Sequence, residues 1–142
     1  MCRIIADTGL RISDVLALRI YQIRRTMWIS ETKTGKRRKI RLTPATVAAA
    51  RLYAQGRRAG CRLIDADRST IYRTISITAQ ALGMRRVSAH SLRKYYAVKY
   101  CKKHGISATQ RELQHRDVLT TMLYVRTPDE IERFLHDTEN HN

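Results

Sequence analysis

Six residues of this chain have the types needed to cut a phosphodiester. They are Arg11 in TGLRISDVL, Lys33 in ETKTGKRRKIRL, His90 and Arg93 in AHSLRKYY, His115 in LQHRD, and Tyr124. A phosphodiester is anionic and resists attack, so a site that cuts it must neutralise charge, supply a nucleophile and protonate a leaving oxygen. Guanidinium groups grip phosphate oxygens in a fixed fork, which suits Arg11 and Arg93 to the first task. A phenol can attack and become a covalent ester, which suits Tyr124 to the second. A phenol ordinarily titrates at about 10, so attack at neutral pH needs nearby cations or a base. A lysine can act as general acid. Lys33 is the first candidate and Lys36, across the same turn, is the alternative. The two histidines can donate to phosphate oxygens or shuttle a proton.

These residues need elements to hold them, and the sequence predicts a mainly helical chain with one small antiparallel β-hairpin. Residues 2–7 read as the end of a helix closed by Gly9, and Ser13-Asp14 starts a short helix through Leu18. Arg11 falls at the junction, three residues before Asp14. Strand formers run from Met27 to Thr32, and basic and apolar residues alternate from Lys39 to Leu42. The turn between them, Lys33-Thr34-Gly35-Lys36, gives the hairpin a basic tip. Lys36, Arg37, Arg38 and Lys39 are expected to lie against a DNA backbone; the competing reading is a solvated edge guarded by its charges. Thr43-Pro44 caps a helix to about Gln55, with Val47, Ala50 and Leu52 inward. Residues 56–67 read as a flexible polar connection. Ser69 caps a helix that stops at Gly83.

The helix opening near Ser88-Ala89 carries His90 and Arg93 one turn apart at its start, where free backbone amides also favour phosphate. Leu92, Tyr96 and Tyr100 form its apolar stripe, and Tyr95, Tyr96 and Tyr100 are expected to be core. Gly105 ends that helix and Ser107 caps the next, which closes with His115. A short helix then carries Thr120, Thr121 and Tyr124. Residues 126–142 form a terminal helix and tail with Ile131, Phe134 and Leu135 on one face.

The order arginine, lysine, His-x-x-Arg, histidine, tyrosine resembles the catalytic domain of the tyrosine recombinase (phage-type integrase) family, from about Cys2 to Tyr124. One departure is visible: the family has Leu-Gly-His before the tyrosine, and this chain has Leu113-Gln114-His115. The resemblance implies a catalytic-domain-like α+β fold, with residues 1–142 as one catalytic domain and the family's amino-terminal DNA-binding domain absent. It implies site-specific recombination through a 3′-phosphotyrosine, on double-stranded DNA, as a homo-oligomer. Lys33 would protonate the departing 5′ oxygen, and Asp14, at an acidic position common in the family, would brace the site without doing chemistry. The alternatives are a truncated or non-catalytic DNA-binding fragment of such an integrase, and strand relaxation of the type IB topoisomerase kind.

Composition agrees with an anionic partner. The 142 residues hold 28 Lys and Arg against 12 Asp and Glu, a formal charge of +16, which points first to nucleic acid. An RNA partner would rest on charge alone, without an aromatic RNA-binding motif. The three cysteines show no paired spacing, consistent with free thiols in a reducing cytosol, and the expected location is the cytoplasm, with the nucleoid. No apolar run is long enough to span a membrane. No cofactor is expected, and no metal either: the histidines lack HxxxH spacing and a carboxylate cluster, which a two-metal nuclease needs. The absence of a phosphate-cradling glycine loop argues against nucleotide hydrolysis.

Overall fold

The computed structural model describes residues 1–84 and 87–114. The chain falls into two compact units, Met1–Arg93 and Lys94–Asn142. The first unit opens with α1 (Cys2–Thr8) and α2 (Ile12–Ala17), then a 3-10 turn at Ile20–Gln22. A hairpin follows, β1 (Thr26–Ser30) and β2 (Arg37–Arg41), then α3 (Pro44–Tyr53) and α4 (Arg68–Ala81). α5 (Ala89–His104) begins in the first unit, and α6 (Ile106–Leu113) lies in the second. Mainly helical with one two-stranded antiparallel sheet is the architecture the sequence predicts.

Local chemistry explains most of the boundaries. Gly9 sits at φ 64 and ends α1 with its N–H on the Ile5 carbonyl, a left-handed cap that costs glycine little. α2 begins one residue earlier than expected. Arg11 is its N-cap, with the Arg11 N–H donating to Asp14 Oδ2 at 3.3 Å. At α3 the expectation holds: the Thr43 side chain accepts from the Thr46 N–H and Pro44 opens the helix. α4 is capped by Asp67, whose Oδ1 accepts from the Thr70 N–H at 2.8 Å. Ser69, the expected cap, lies inside the helix; a carboxylate is as good an acceptor and sits one residue before the first helical position. α6 starts from Gly105, not Ser107.

The first unit closes around one apolar core. Ile4 and Ile5 of α1, Val15 of α2, Met27, Ile29 and Ile40 of the hairpin, Val47 of α3, and Ile71 and Ile75 of α4 are all buried in it. The hairpin contributes by strict alternation: Thr26 pairs with Arg41 and Ser30 with Arg37, so Met27 and Ile29 face Ile40 and Arg38 across the inner side. β2 starts at Arg37, two residues before the predicted start.

Three expectations about packing are corrected. Leu52 is 72% exposed, because its neighbours Val47 and Ala50 already fill the inward face of α3. Residues 56–67 are pinned at several points. The Arg57 guanidinium donates to the carbonyls of Leu63 and Arg62, Arg19 pairs with Arg62, and Leu63 and Ile64 join the core. Tyr95 is 57% exposed and is not core. In the second unit, Ala97, Thr109 and Leu113 are buried, and the Tyr96 hydroxyl donates to Glu112 at 2.9 Å, tying α5 to α6.

Candidate active site

The short loop between α1 and α2 is where the two arginines meet the fold. Arg11 caps α2 there, and its side chain is a quarter exposed. Arg93, on the second turn of α5, is buried and donates through Nη1 to the Gly9 carbonyl, two residues before Arg11. The bond bridges 84 positions of sequence. It brings both candidate phosphate-binding groups to the same stretch of backbone.

The turn that carries Lys33 is fastened to this loop by two buried carboxylates. Asp14 Oδ1 accepts from both the N–H and the hydroxyl of Thr32, each at 2.8 Å, while its Oδ2 takes the Arg11 N–H. The expected bracing role of Asp14 therefore has a concrete form. Glu31 is the second carboxylate, and its side chain is fully buried. Its Oε2 accepts from Arg11 Nη1 at 2.7 Å and from the Thr34 hydroxyl at 3.3 Å. Its Oε1 faces Arg38 Nη1 at 3.6 Å. The backbone of Glu31 closes the same turn: its N–H donates to the Lys36 carbonyl at 3.0 Å, and its carbonyl accepts from the Gly35 N–H at 2.8 Å. Gly35 is at φ 66, where a side chain would be strained.

The basic run divides by side. Lys33, Lys36, Arg37 and Lys39 are exposed. Arg38 is buried, donating Nη2 to the Thr8 carbonyl at 2.6 Å and pairing with Glu31. The expectation that Arg38 lies on a DNA backbone is thereby corrected: strand alternation turns it inward with Ile40. On the outer face, the Arg37 guanidinium sits 5.4 Å from the ring centre of Trp28, which is 54% exposed.

His90 is exposed on the first turn of α5. His115 and Tyr124 lie outside the described residues. Gln114, in the position of the glycine that the sequence comparison raised, ends α6 at φ 52 and ψ 44. It is the non-glycine residue with positive φ among those described, and a left-handed C-cap is a place where glycine is ordinarily preferred. Among the described residues, no group of three His, Cys, Asp or Glu side chains could hold a metal ion, and no helix is long and apolar enough to cross a membrane.

Glu31 is the site residue that the sequence reading missed. A signal for it was present, since Met27, Ile29 and Glu31 share one phase of a period-2 strand.

Comparison with known proteins bears on the same residues. The phage integrase family model matches residues 1–131. A tyrosine recombinase XerA of Saccharolobus solfataricus is 30% identical over 127 residues, covering 86% of this chain and 43% of that protein. A probable integrase/recombinase, YoeC of Bacillus subtilis, is 27% identical over 137 residues, covering 89% of this chain and 76% of that one. Among solved structures, XerA recombinase superposes with a TM-score of 0.74 at 24% identity, over 99% of this chain and 56% of the other. A lambda integrase dimer bound to a COC' core site gives 0.69 at 17% identity, over 88% and 50%. The chain thus spans about half the length of the XerA proteins it matches.

Proposed function

The chain belongs to the phage integrase family, and from that premise we propose that it cleaves and rejoins DNA strands through a covalent 3′-phosphotyrosine at Tyr124. The observation that carries the proposal is the joint around residues 9–14. Arg93 holds the Gly9 carbonyl, Arg11 caps α2, and Asp14 and Glu31 fasten the Lys33 turn beside them. This joint supports a site fed by two guanidinium groups and a lysine from three separate elements.

In this reading Arg11 and Arg93 bind the non-bridging oxygens and stabilise the extra charge of the five-coordinate transition state. Tyr124 attacks phosphorus, the bond to the 5′ oxygen breaks, and Lys33 gives that oxygen its proton. His90 and His115 donate to phosphate oxygens or carry the proton from Tyr124. The reverse attack by a 5′ hydroxyl reseals the strand, because the phosphotyrosine ester conserves the energy of the broken bond. The exposed Lys36, Arg37 and Lys39 bind the duplex backbone. The proposed partners are double-stranded DNA and further copies of the chain assembled on it, and the proposed place of action is the cytoplasm, on the nucleoid. The solved structures of a XerH recombinase bound to its difH substrate and of lambda integrase on a core site support DNA as the substrate class.

The test is covalent trapping on a library of nicked random-sequence duplexes, read on denaturing gels. The chain is expected to form a protein–DNA adduct, and Tyr124→Phe to lose it while keeping fold and duplex affinity. Adduct from the phenylalanine variant would sink the assignment.

A further inference from the structure

Glu31 has a place in this site that neither the family order of residues nor the sequence pattern assigns. We infer that Glu31 is the positioning residue for Arg11: a buried carboxylate held between two guanidinium groups that fixes the Arg11 fork for phosphate. The inference rests on the recombinase reading for what Arg11 binds, but not for how Arg11 is held.

Geometry comes first. Arg11 is a quarter exposed, and the neighbouring solvent would let a long side chain take many rotamers. One contact on its guanidinium, the 2.7 Å bond from Nη1 to Glu31 Oε2, selects among them. Glu31 itself is confined by burial and by its own backbone hydrogen bonds. Its side chain is fully buried, its other oxygen faces Arg38, and its backbone closes the turn at both its N–H and its carbonyl. Arg38 is fixed in turn by the Thr8 carbonyl at the end of α1. A chain of contacts therefore runs from α1 through Arg38 and Glu31 to Arg11, its middle link an ion pair at 3.6 Å. The same residue closes the turn bearing Lys33, so the phosphate-binding fork and the candidate general acid share one anchor.

Charge explains why an anion can stand beside a phosphate-binding group. A lone carboxylate there would repel the phosphate and cancel Arg11. Arg11, Arg38 and Arg93 outnumber the two buried carboxylates Asp14 and Glu31, so the joint as a whole stays net positive. A buried carboxylate with two cationic partners also avoids the desolvation cost of an uncompensated charge. Glu31 thus orients Arg11 at the expense of some attraction for the ground-state phosphate. Its removal is expected to change the rate of cleavage much more than the affinity for DNA. A residue that served only to balance Arg38 would not show that split.

The first measurement needs no substrate. Side-chain NMR of arginine guanidinium groups in the full chain reads rotation about the Arg11 Nε–Cζ bond. Glu31→Gln is expected to speed that rotation about tenfold, because a neutral amide oxygen holds the guanidinium more weakly than a carboxylate does. Equal rotation in the two proteins overturns the inference, whether or not the chain cuts DNA. The second measurement is single-turnover adduct formation on the nicked library. Glu31→Gln is expected to lower the rate about 10- to 100-fold through misplacement of Arg11, with duplex affinity unchanged or tighter. In an Arg11→Ala background the same change is expected to cost less than about twofold, because the two residues act as one unit. Additive losses overturn the inference.

The double variant Glu31→Met with Arg38→Met removes both buried charges and keeps the test open if Glu31→Gln folds poorly. It is expected to restore the melting temperature and leave Arg11 mobile; restored order at Arg11 counts against positioning. Absence of adduct from the unaltered chain, with Arg11 held by Glu31 in the NMR experiment, contradicts the recombinase reading alone.

Discussion

The two sides of one β-hairpin use the same residue types for opposite purposes. On the inner side, Arg38 and Glu31 are buried and bind each other, Arg11 and the Thr8 carbonyl. On the outer side, Arg37, Lys39 and Arg41 stand exposed beside Trp28. Strand periodicity alone separates the two groups. A buried charge is costly unless every neighbour is in place, so the inner group specifies geometry. An exposed charge is screened and mobile, so the outer group contributes attraction without fixing a position. Net charge points to an anionic partner class, and only burial separates the cations that face solvent from those bound inside the fold.

The largest expected difference between the two sides is in stability. Glu31→Ala leaves Arg38 buried without its carboxylate, which is expected to cost about 3–5 kcal/mol. Lys39→Ala on the outer face is expected to stay within about 0.5 kcal/mol of the parent. Urea midpoints of the two variants measure both, and similar midpoints would remove the distinction.

A second difference is in the salt dependence of duplex binding. Arg37→Ala and Lys39→Ala are each expected to reduce the slope of log K against log salt by about 1, as loss of one phosphate contact does. Arg38→Met, at a concentration of folded protein matched by circular dichroism, is expected to leave that slope unchanged. A reduced slope for Arg38→Met would return Arg38 to the DNA-facing set.

The smallest effect concerns an exposed anion. Asp67 caps α4, and its hydrogen bonds from the backbone N–H and then the hydroxyl of Thr70 hold its pKa below the ordinary value of 3.8. A carboxyl whose folded pKa is depressed adds stability that is present above its unfolded pKa and is lost as pH falls through the folded one. Asp67→Asn keeps an acceptor at the cap. It is expected to leave neutral-pH stability nearly unchanged and to flatten slightly the acid side of the stability profile below about 4. Glu31→Gln, by contrast, is expected to act at neutral pH. Melting temperatures between neutral and acid pH compare the two.

The sequence made the elements legible wherever a local rule was at work. Thr43-Pro44 opened α3, glycine closed α1, and alternating residues marked the hairpin. Arg11 and Arg93 were legible as members of an ordered set, and Arg93 bonds the backbone two residues before Arg11. Arg38 is hard to tell apart within the run of four charges from Lys36 to Lys39, and only its phase with Ile40 and Leu42 turns it inward. Glu31 was missed because a carboxylate before a turn ordinarily faces water. Its burial depends on Arg11, twenty positions away, and on Arg38 of the paired strand. The strand phase of Met27 and Ile29 signals that Glu31 turns inward, but the partners that compensate its charge have no signature in local composition. Gln114 was legible as a departure, and its left-handed backbone gives the departure a physical meaning.

The most direct test of the account is to identify the residue that becomes joined to DNA. The adduct formed on the nicked library is digested with nuclease and trypsin, and the nucleotide-bearing peptide is sequenced by mass spectrometry. The account predicts a 3′-nucleotide on the phenolic oxygen of Tyr124. A nucleotide on any other residue would contradict it.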